Sequence, residues 1–302
     1  MARNETKYME SVVALSEELN FSRAAEKIRI SQPMITKNLA DVEAMLGFRL
    51  FERDRRSVQV NRAGKAYVEQ ARLALLYGER ALNAARAVVQ DADVILNVGR
   101  SPYTDPFLIS TLLEIQLRRF PHFKIDLSSQ YSYDLVHELL EGTLDLALAT
   151  EPPRSPALST IQVAESPFYI AMREADELAA QPEVTLDQMK GRAWILFERR
   201  LHPPLYDSIM RVAEMRKVTP SRVQHIIAPE EAYPFVADGS AIAVVVKAGA
   251  LRIARNGLTV RPLTENDLML RTHLACRSDN QSKLLSEFVK AFVLAVGAKR
   301  AA

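Results

Sequence analysis

Five polar residues, Ser31, Gln32, Thr36, Lys37 and Asn38, fall along one side of the stretch SQPMITKNLADVEAML. Their chemistry is recognition by hydrogen bonds rather than covalent catalysis. A Gln can pair with an adenine edge, a Thr methyl can rest on a thymine methyl, and a Lys can meet guanine or phosphate. A helix with Ser31, Gln32, Thr36 and Lys37 crowded into its first two turns, opened by Pro33, fits the major groove of duplex DNA. Ser22 and Arg23, at the head of the preceding helix, join this candidate set. The loop ERDRRS follows, and Arg53, Arg55 and Arg56 there would reach phosphates or a minor groove. The plainer alternative is a solvated polar face.

Other chemistries find no support. HELLE at 137–141 has Glu141 where a zinc-binding run needs a second His, and DGSA at 238–241 reads as a turn entering a strand. There is no G-x-S-x-G motif and no glycine-rich phosphate loop. The five histidines, at 122, 137, 202, 225 and 273, show no ligand spacing, so no metal, cofactor or catalytic residue is expected. The single cysteine, Cys276, excludes a disulfide framework. It ends a predicted core strand, where inert packing or a redox-sensing role are the two readings.

The elements that would position the recognition face are short helices. Met9, Val12, Val13 and Leu15 set up a first helix ending near Asn20, and Ser22 is expected to cap a second over Arg23–Ile28. The small pair Ala24-Ala25 permits close approach by a neighbour. Ser31 caps a third helix, with Pro33 in its first turn. Ile35, Leu39, Val42 and Leu46 form its core stripe, and Gly47 ends it. Phe48, Leu50 and Phe51, then Val58 and Val60, predict two short strands flanking an arginine-bearing wing.

Asn61 can cap a helix from Arg62 to Gln90, about 40 Å long at 1.5 Å per residue. Val68, Leu75, Leu82 and Val89 repeat every seven residues, with Ala71, Gly78 and Ala85 three residues after the first three. Such a heptad seam with small residues predicts pairing with a second long helix, or packing on its own domain. Two paired heads would read a two-fold related site.

After Asp91-Ala92-Asp93 the pattern alternates between strand and helix, which predicts open, mostly parallel sheets flanked by helices. Ligands in such sheets bind at the carboxyl ends of strands. That rule names Arg100, Ser101, Thr104, Ser129, Tyr131, Thr150, Phe197, Arg199, His202, Ala228 and Val246 as candidate effector-binding residues, with Ser132 at a helix start beside them. Hydroxyls, helix N-termini and the cluster Arg100, Arg199, Arg200 and His202 suit a small, anionic metabolite, a carboxylate with an aromatic part given Tyr131 and Phe197. Surface or dimer-contact arginines are the alternative.

Composition sets the bounds. The chain has 302 residues, 48% hydrophobic and 25% charged, as in globular proteins of two or three domains. Net charge is +2, yet residues 23–65 hold ten Lys/Arg against five Asp/Glu, a basic segment suited to a polyanion. The first 21 residues carry charges throughout, so no signal peptide is expected. No apolar run is long enough to span a membrane. A cytoplasmic location follows as the expectation.

FSRAAEKIRISQPMITKNLADVEAMLGFRLFERDRR, followed by VNRAG, resembles the winged helix-turn-helix of LysR-type transcriptional regulators. The matching features are Ala24-Ala25, Ser31-Gln32-Pro33, Val42-Glu43, Leu46-Gly47, Leu50-Phe51-Glu52-Arg53 and Ala63-Gly64. Thr36, Asn38 and Asn61 depart from the family's more frequent Ser, Gln and Thr. The resemblance implies an α/β multidomain protein with a DNA-binding head at 1–64, a linker and dimerisation helix at 65–91, and an effector-binding regulatory domain at 92–302. It also implies that the last has a periplasmic-binding-protein-like (type 2) fold of two subdomains, I at 92–166 with 271–302 and II at 167–270. It further implies antiparallel pairing of the linker helix, a homodimer and usually a homotetramer, an operator duplex, a small-molecule effector and RNA polymerase as partners, and a bacterial setting. The rival reading is a cytoplasmic solute-binding or enzymatic α/β protein whose helical head serves interaction only. A third keeps the regulator and leaves the body purely oligomeric.

Overall fold

The computed structural model describes residues 5–53, 57–90 and 94–301. The chain divides into two compact units, Met1–Val94 with Glu141–Thr143, and Ile95–Leu140 with Leu144–Ala302.

The first unit opens with α1 (Glu5–Glu18), α2 (Phe21–Lys27) and α3 (Gln32–Leu46). A two-stranded wing follows, β1 (Phe51–Arg53) and β2 (Val58–Val60), antiparallel with Phe51 opposite Val60, and then α4 (Arg62–Gln90). The core is Val12, Leu15, Ala24, Ala25, Ile35, Leu39, Val42, Leu50, Phe51 and Val68, all buried. The Ala24-Ala25 pair thus lies at the contact of α2 with its neighbours. Leu46 departs from the expected stripe: it is 37% exposed in the last turn of α3, where the helix has run past the core. Gly47 ends α3 at φ 80°, a left-handed conformation that disfavours side chains with a Cβ. The second helix starts at Phe21, earlier than expected, because Asn20 is its cap. The Asn20 Oδ1 accepts both the Ser22 and Arg23 N–H groups at 3.0 Å, which places Ser22 inside the first turn. Asn61 caps α4 through Oδ1, which accepts the Gly64 N–H at 2.8 Å.

The second unit holds two five-stranded sheets. One is built from β3 (Val94–Arg100), β4 (Phe123–Ser129), β5 (Leu146–Thr150), β6 (Leu158–Pro167) and β12 (Met269–Arg277), in the order β4-β3-β5-β12-β6. Helices α5 (Pro106–Arg119), α6 (Ser132–Glu141) and α10 (Lys283–Ala301) accompany it. The other, ordered β11-β7-β10-β8-β9, uses β7 (Tyr169–Arg173), β8 (Ala193–Phe197), β9 (Arg222–Ile226), β10 (Ile242–Val245) and β11 (Leu258–Pro262). With it go α7 (Pro203–Met215), α8 (Tyr233–Ala237) and α9 (Lys247–Ile253). Trp194 and Phe168 are fully buried in one core, Phe288 and Phe292 in the other.

The sheets are mixed, which corrects the expectation of mostly parallel ones. β3–β5, β8–β10 and β8–β9 run parallel. β12 pairs antiparallel with β5 and β6, and β7 antiparallel with β10 and β11. The cause lies in the chain path. β6 leads out of the first sheet and β12 returns to it, so the two lie side by side in opposite senses. β6 buries only Leu158, Val163 and Ala164 among its ten residues, too few for a clear apolar alternation.

Candidate functional site

The head presents the start of α3 to solvent. Ser31 sits at the N-cap with φ −78° and ψ 149°, and its hydroxyl makes no capping bond. Its carbonyl accepts the Met34 N–H at 2.9 Å. Ser31, Gln32 and Pro33 are exposed, as is Lys37 one turn on. The Thr36 hydroxyl donates to the Gln32 carbonyl at 3.1 Å, and the residue is partly exposed. Asn38 is a correction. It is buried, and its Nδ2 donates to the Ser11 hydroxyl at 2.8 Å, tying α3 to α1. Position 38 lies three residues after Ile35 and four before Val42, so helical geometry turns it inward with them. Ser22 and Arg23 are exposed on α2. The Arg23 guanidinium donates to the Glu18 carbonyl at 2.7 Å and so leans on the end of α1. Arg53 closes β1. Its side chain, and Arg55 and Arg56 altogether, lie outside the described residues.

The heptad seam of α4 divides in two. Val68 belongs to the head's own core and Ala71 is buried, so these two are not open to a partner. The first turns of α4 have to anchor the head before the helix leaves it. Leu75 is half-buried, whereas Gly78, Leu82 (59% exposed) and Ala85 face solvent. The Val89 side chain lies outside the described residues.

In the second unit, strand ends bring a subset of the candidates together. β5 ends at Thr150, whose hydroxyl lies 3.0 Å from the Ser132 hydroxyl and 3.3 Å from that of Ser101. The Thr150 N–H donates to Ser132 Oγ at 3.0 Å. Ser101 Oγ also accepts the Tyr103 N–H, and Thr104 donates to the Leu148 carbonyl at 3.1 Å. Ser101, Thr104, Ser132 and Thr150 are all buried. His202, fully buried, reaches this cluster from the second sheet: its Nε2 lies 2.9 Å from the Thr150 carbonyl, while Nδ1 accepts the Leu205 N–H at 3.4 Å. A carbonyl only accepts, so Nε2 carries the proton. A second link joins the same two sheets' helices, an ion pair of 2.7 Å from Lys247 at the start of α9 to Asp105, the cap of α5.

Beside this network the Tyr103 ring stands 5.7 Å from Phe197, 6.1 Å from Tyr131 and 6.3 Å from His202, centroid to centroid. Its hydroxyl is buried and has no hydrogen-bond partner among the described residues. Burial, and secondarily the neighbouring Tyr131 phenol, push its ionisation well above the ordinary phenol range, so it stays a neutral donor. The strand-end rule names Arg100, Ser101 and Thr104 in the segment RSPYTDP and passes over Tyr103, which carries no sequence signal of its own.

Other candidates stand apart. Ser129 is exposed at the end of β4, Ala228 heads a single 3-10 turn at Pro229–Ala232, and buried Val246 precedes α9. The expected arginine cluster is a correction. Arg199 makes two bonds of 2.7 Å to Asp207, and Arg200 pairs with Glu198, so each charge is met by a neighbouring carboxylate. The Arg199 guanidinium holds the Asp207 carboxyl below its usual range. Arg100 is half-buried at the end of β3. Cys276 is half-buried and burial pushes its thiol up, away from the reactive thiolate. Among the described residues no group of three His, Cys, Asp or Glu could hold a metal ion, and no helix is long and apolar enough to cross a membrane.

Known proteins show the same two-part plan. Residues 6–65 match the bacterial regulatory helix-turn-helix protein, lysR family, and residues 94–295 match the LysR substrate binding domain. The chain is 22% identical to the HTH-type transcriptional regulator AlsR of Bacillus subtilis (strain 168) over 94% of each chain. It is 30% identical to the Hca operon transcriptional activator HcaR of Escherichia coli (strain K12), over 62% of this chain and 63% of that one. Among solved structures, full-length CbnR complexed with its target DNA shares the fold at a TM-score of 0.67 and 22% identity, covering 96% of this chain and 99% of that chain. Full-length BenM does so at 0.59 and 18%, covering 98% and 96%. An exposed polar face on a winged head, joined to a two-sheet body with hydroxyls gathered at its strand ends, is thus the plan of a DNA-binding regulator rather than an enzyme, and the chain belongs to the LysR family of transcriptional regulators.

Proposed function

We propose that α3 enters the major groove of an operator duplex and that the wing grips the flanking backbone. The single observation that carries this is the outer face of α3. The Ser31 hydroxyl makes no capping bond, Gln32 and Lys37 are exposed, and Thr36 is partly exposed between them. Ser22, Arg23 and Pro33 flank this face, and Arg53, Arg55 and Arg56 supply the backbone contacts. Two heads are joined through the part of the α4 seam beyond the head's core, half-buried Leu75 with exposed Gly78, Leu82 and Ala85, so that a dimer, and a tetramer of two such dimers, reads two-fold related half-sites. The protein acts in the cytoplasm, with RNA polymerase as a further partner.

The body senses a small anionic metabolite at the Ser101–Ser132–Thr150 cluster. With Arg199 and Arg200 already paired, recognition falls to hydroxyls, to the N-terminal amides of α6 and to Arg100. Tyr103, Tyr131 and Phe197 provide an aromatic wall, and the buried Tyr103 hydroxyl offers the ligand a donor. Binding there acts on the contacts His202–Thr150 and Lys247–Asp105, which join the two sheets, and so biases the arrangement of the DNA heads.

The test uses duplexes from the DNA flanking the protein's own coding region, followed by fluorescence anisotropy over a salt series. Affinity is expected to fall steeply with salt. Lys37→Ala is expected to weaken binding about tenfold and to lower the salt slope by about one. Wild-type affinity in that variant, together with indifference to salt, would refute the reading.

A further inference from the structure

The head contains one peptide group on which three elements converge. Leu50 is fully buried between the end of α3 and the wing. Its N–H donates to Glu43 Oε1 at 2.8 Å, and the Phe51 N–H reaches the same oxygen at 3.3 Å. Its carbonyl accepts the Asn61 N–H at 3.1 Å. Gly64, in the first turn of α4, presses against that carbonyl: a Cβ there would lie 2.1 Å from the oxygen, so no larger residue fits without backbone movement. Asn61 adds a second tie, with Nδ2 donating to the Arg49 carbonyl at 2.8 Å. The recognition helix, through Glu43, the wing, through Leu50 and Phe51, and the linker helix, through Gly64, are therefore locked to one another within a single peptide.

We propose that Glu43 is a positioning residue for DNA binding, fixing the wing against the recognition helix so that both engage one duplex together. The inference rests on the reading that the wing grips phosphates. A carboxylate suits the task because a charged acceptor can hold two backbone N–H groups at once. Glu43 needs no contact with DNA for this. Its negative charge would by itself repel a polyanion, so removing a carboxylate without a positioning role strengthens DNA binding. Removing one that positions the wing weakens it.

The experiment is salt-dependent duplex binding by the full-length protein, followed by fluorescence anisotropy, for wild type, Glu43→Ala, Arg53→Ala and the double variant. Arg53→Ala is expected to lower the slope of log affinity against log salt by about one. Glu43→Ala is expected to lower it by at least as much, and the double variant by no more than Glu43→Ala alone, because a displaced wing has no contact left to lose. Glu43→Gln keeps a carbonyl acceptor and is expected to restore most of the slope. A Glu43→Ala protein that melts earlier but binds with the wild-type slope, or whose effect adds in full to that of Arg53→Ala, overturns the proposal. An unaltered slope in Arg53→Ala alone overturns the wing reading and the proposal with it. Should Glu43→Ala not fold, Glu43→Asp serves in its place: it keeps the charge but is one methylene too short to hold the Leu50 and Phe51 N–H groups, and a wild-type slope, or full additivity with Arg53→Ala, then overturns the proposal.

Discussion

Replacing Tyr103 by Phe removes one atom, and the structure gives two opposite consequences. The Tyr103 hydroxyl is buried without a partner, and an unsatisfied buried hydroxyl destabilises by about 1–3 kcal/mol. The ring keeps its packing against Phe197 and Tyr131. Taking the lower end, Tyr103→Phe stabilises the ligand-free protein by about 1 kcal/mol, a rise in Tm of about 2–4 °C for a unit of this size. Ligand binding moves the other way. A hydroxyl that donates to the effector contributes about 0.5–1.5 kcal/mol, so affinity falls roughly two- to tenfold. Differential scanning calorimetry of the free protein reads the first effect, and titration calorimetry with simple aromatic and aliphatic carboxylates reads the second. A Tyr103→Phe protein that melts 2 °C or more below wild type would show that the hydroxyl has a partner in solution, and the reasoning fails.

Two further predictions concern stability. Gly47→Ala is expected to cost about 1 kcal/mol, read as a lower urea midpoint. A Cβ at Gly47 meets nothing within 4 Å, so the whole cost comes from φ 80°, and an unchanged midpoint contradicts the assignment. Asp176 is partly buried, which by itself raises its pKa, but its 2.7 Å bond to Arg192 and the Leu178 N–H outweigh this and leave the carboxyl below its ordinary value of 3.8. The folded state thus binds fewer protons there than the unfolded chain. The stabilisation is complete above 3.8 and is lost as pH falls through the lowered folded value. Asp176→Asn is expected to be less stable than wild type by about 1 kcal/mol at neutral pH, with the difference closing in acid. Parallel stability curves across that range count against it.

The features legible in the sequence are those encoded within a few residues. Ser31-Gln32-Pro33 marks the start of α3, Gly47 its end and Asn61 the start of α4, because caps and backbone-restricted residues act on their immediate neighbours. The polar outer face of α3 follows from the same local code, since helical spacing sorts Gln32 and Lys37 outward from Ile35 and Leu39. Where two residues compete for one face the reading fails. Asn38 has the composition of a contact residue and the spacing of a core residue, and its bond to Ser11, 27 positions away, decides for the core.

The hydroxyl cluster proposed as the ligand site depends on the sheets far more than on any motif. Thr150 meets Ser101 and Ser132 because β3 and β5 run side by side, and it meets His202 because the chain has passed into the second sheet and turned back. Arg199 and Arg200 suit an anion by residue type, but nearby carboxylates hold them, and Tyr103 takes its place only from a ring set among Phe197, Tyr131 and His202. Sequence alone thus settled where the strongly capped helices α3 and α4 begin and that Gln32 and Lys37 lie outward on α3. Only the tertiary structure decided which polar groups meet, because those partners are set by the path of the chain and not by periodicity along it.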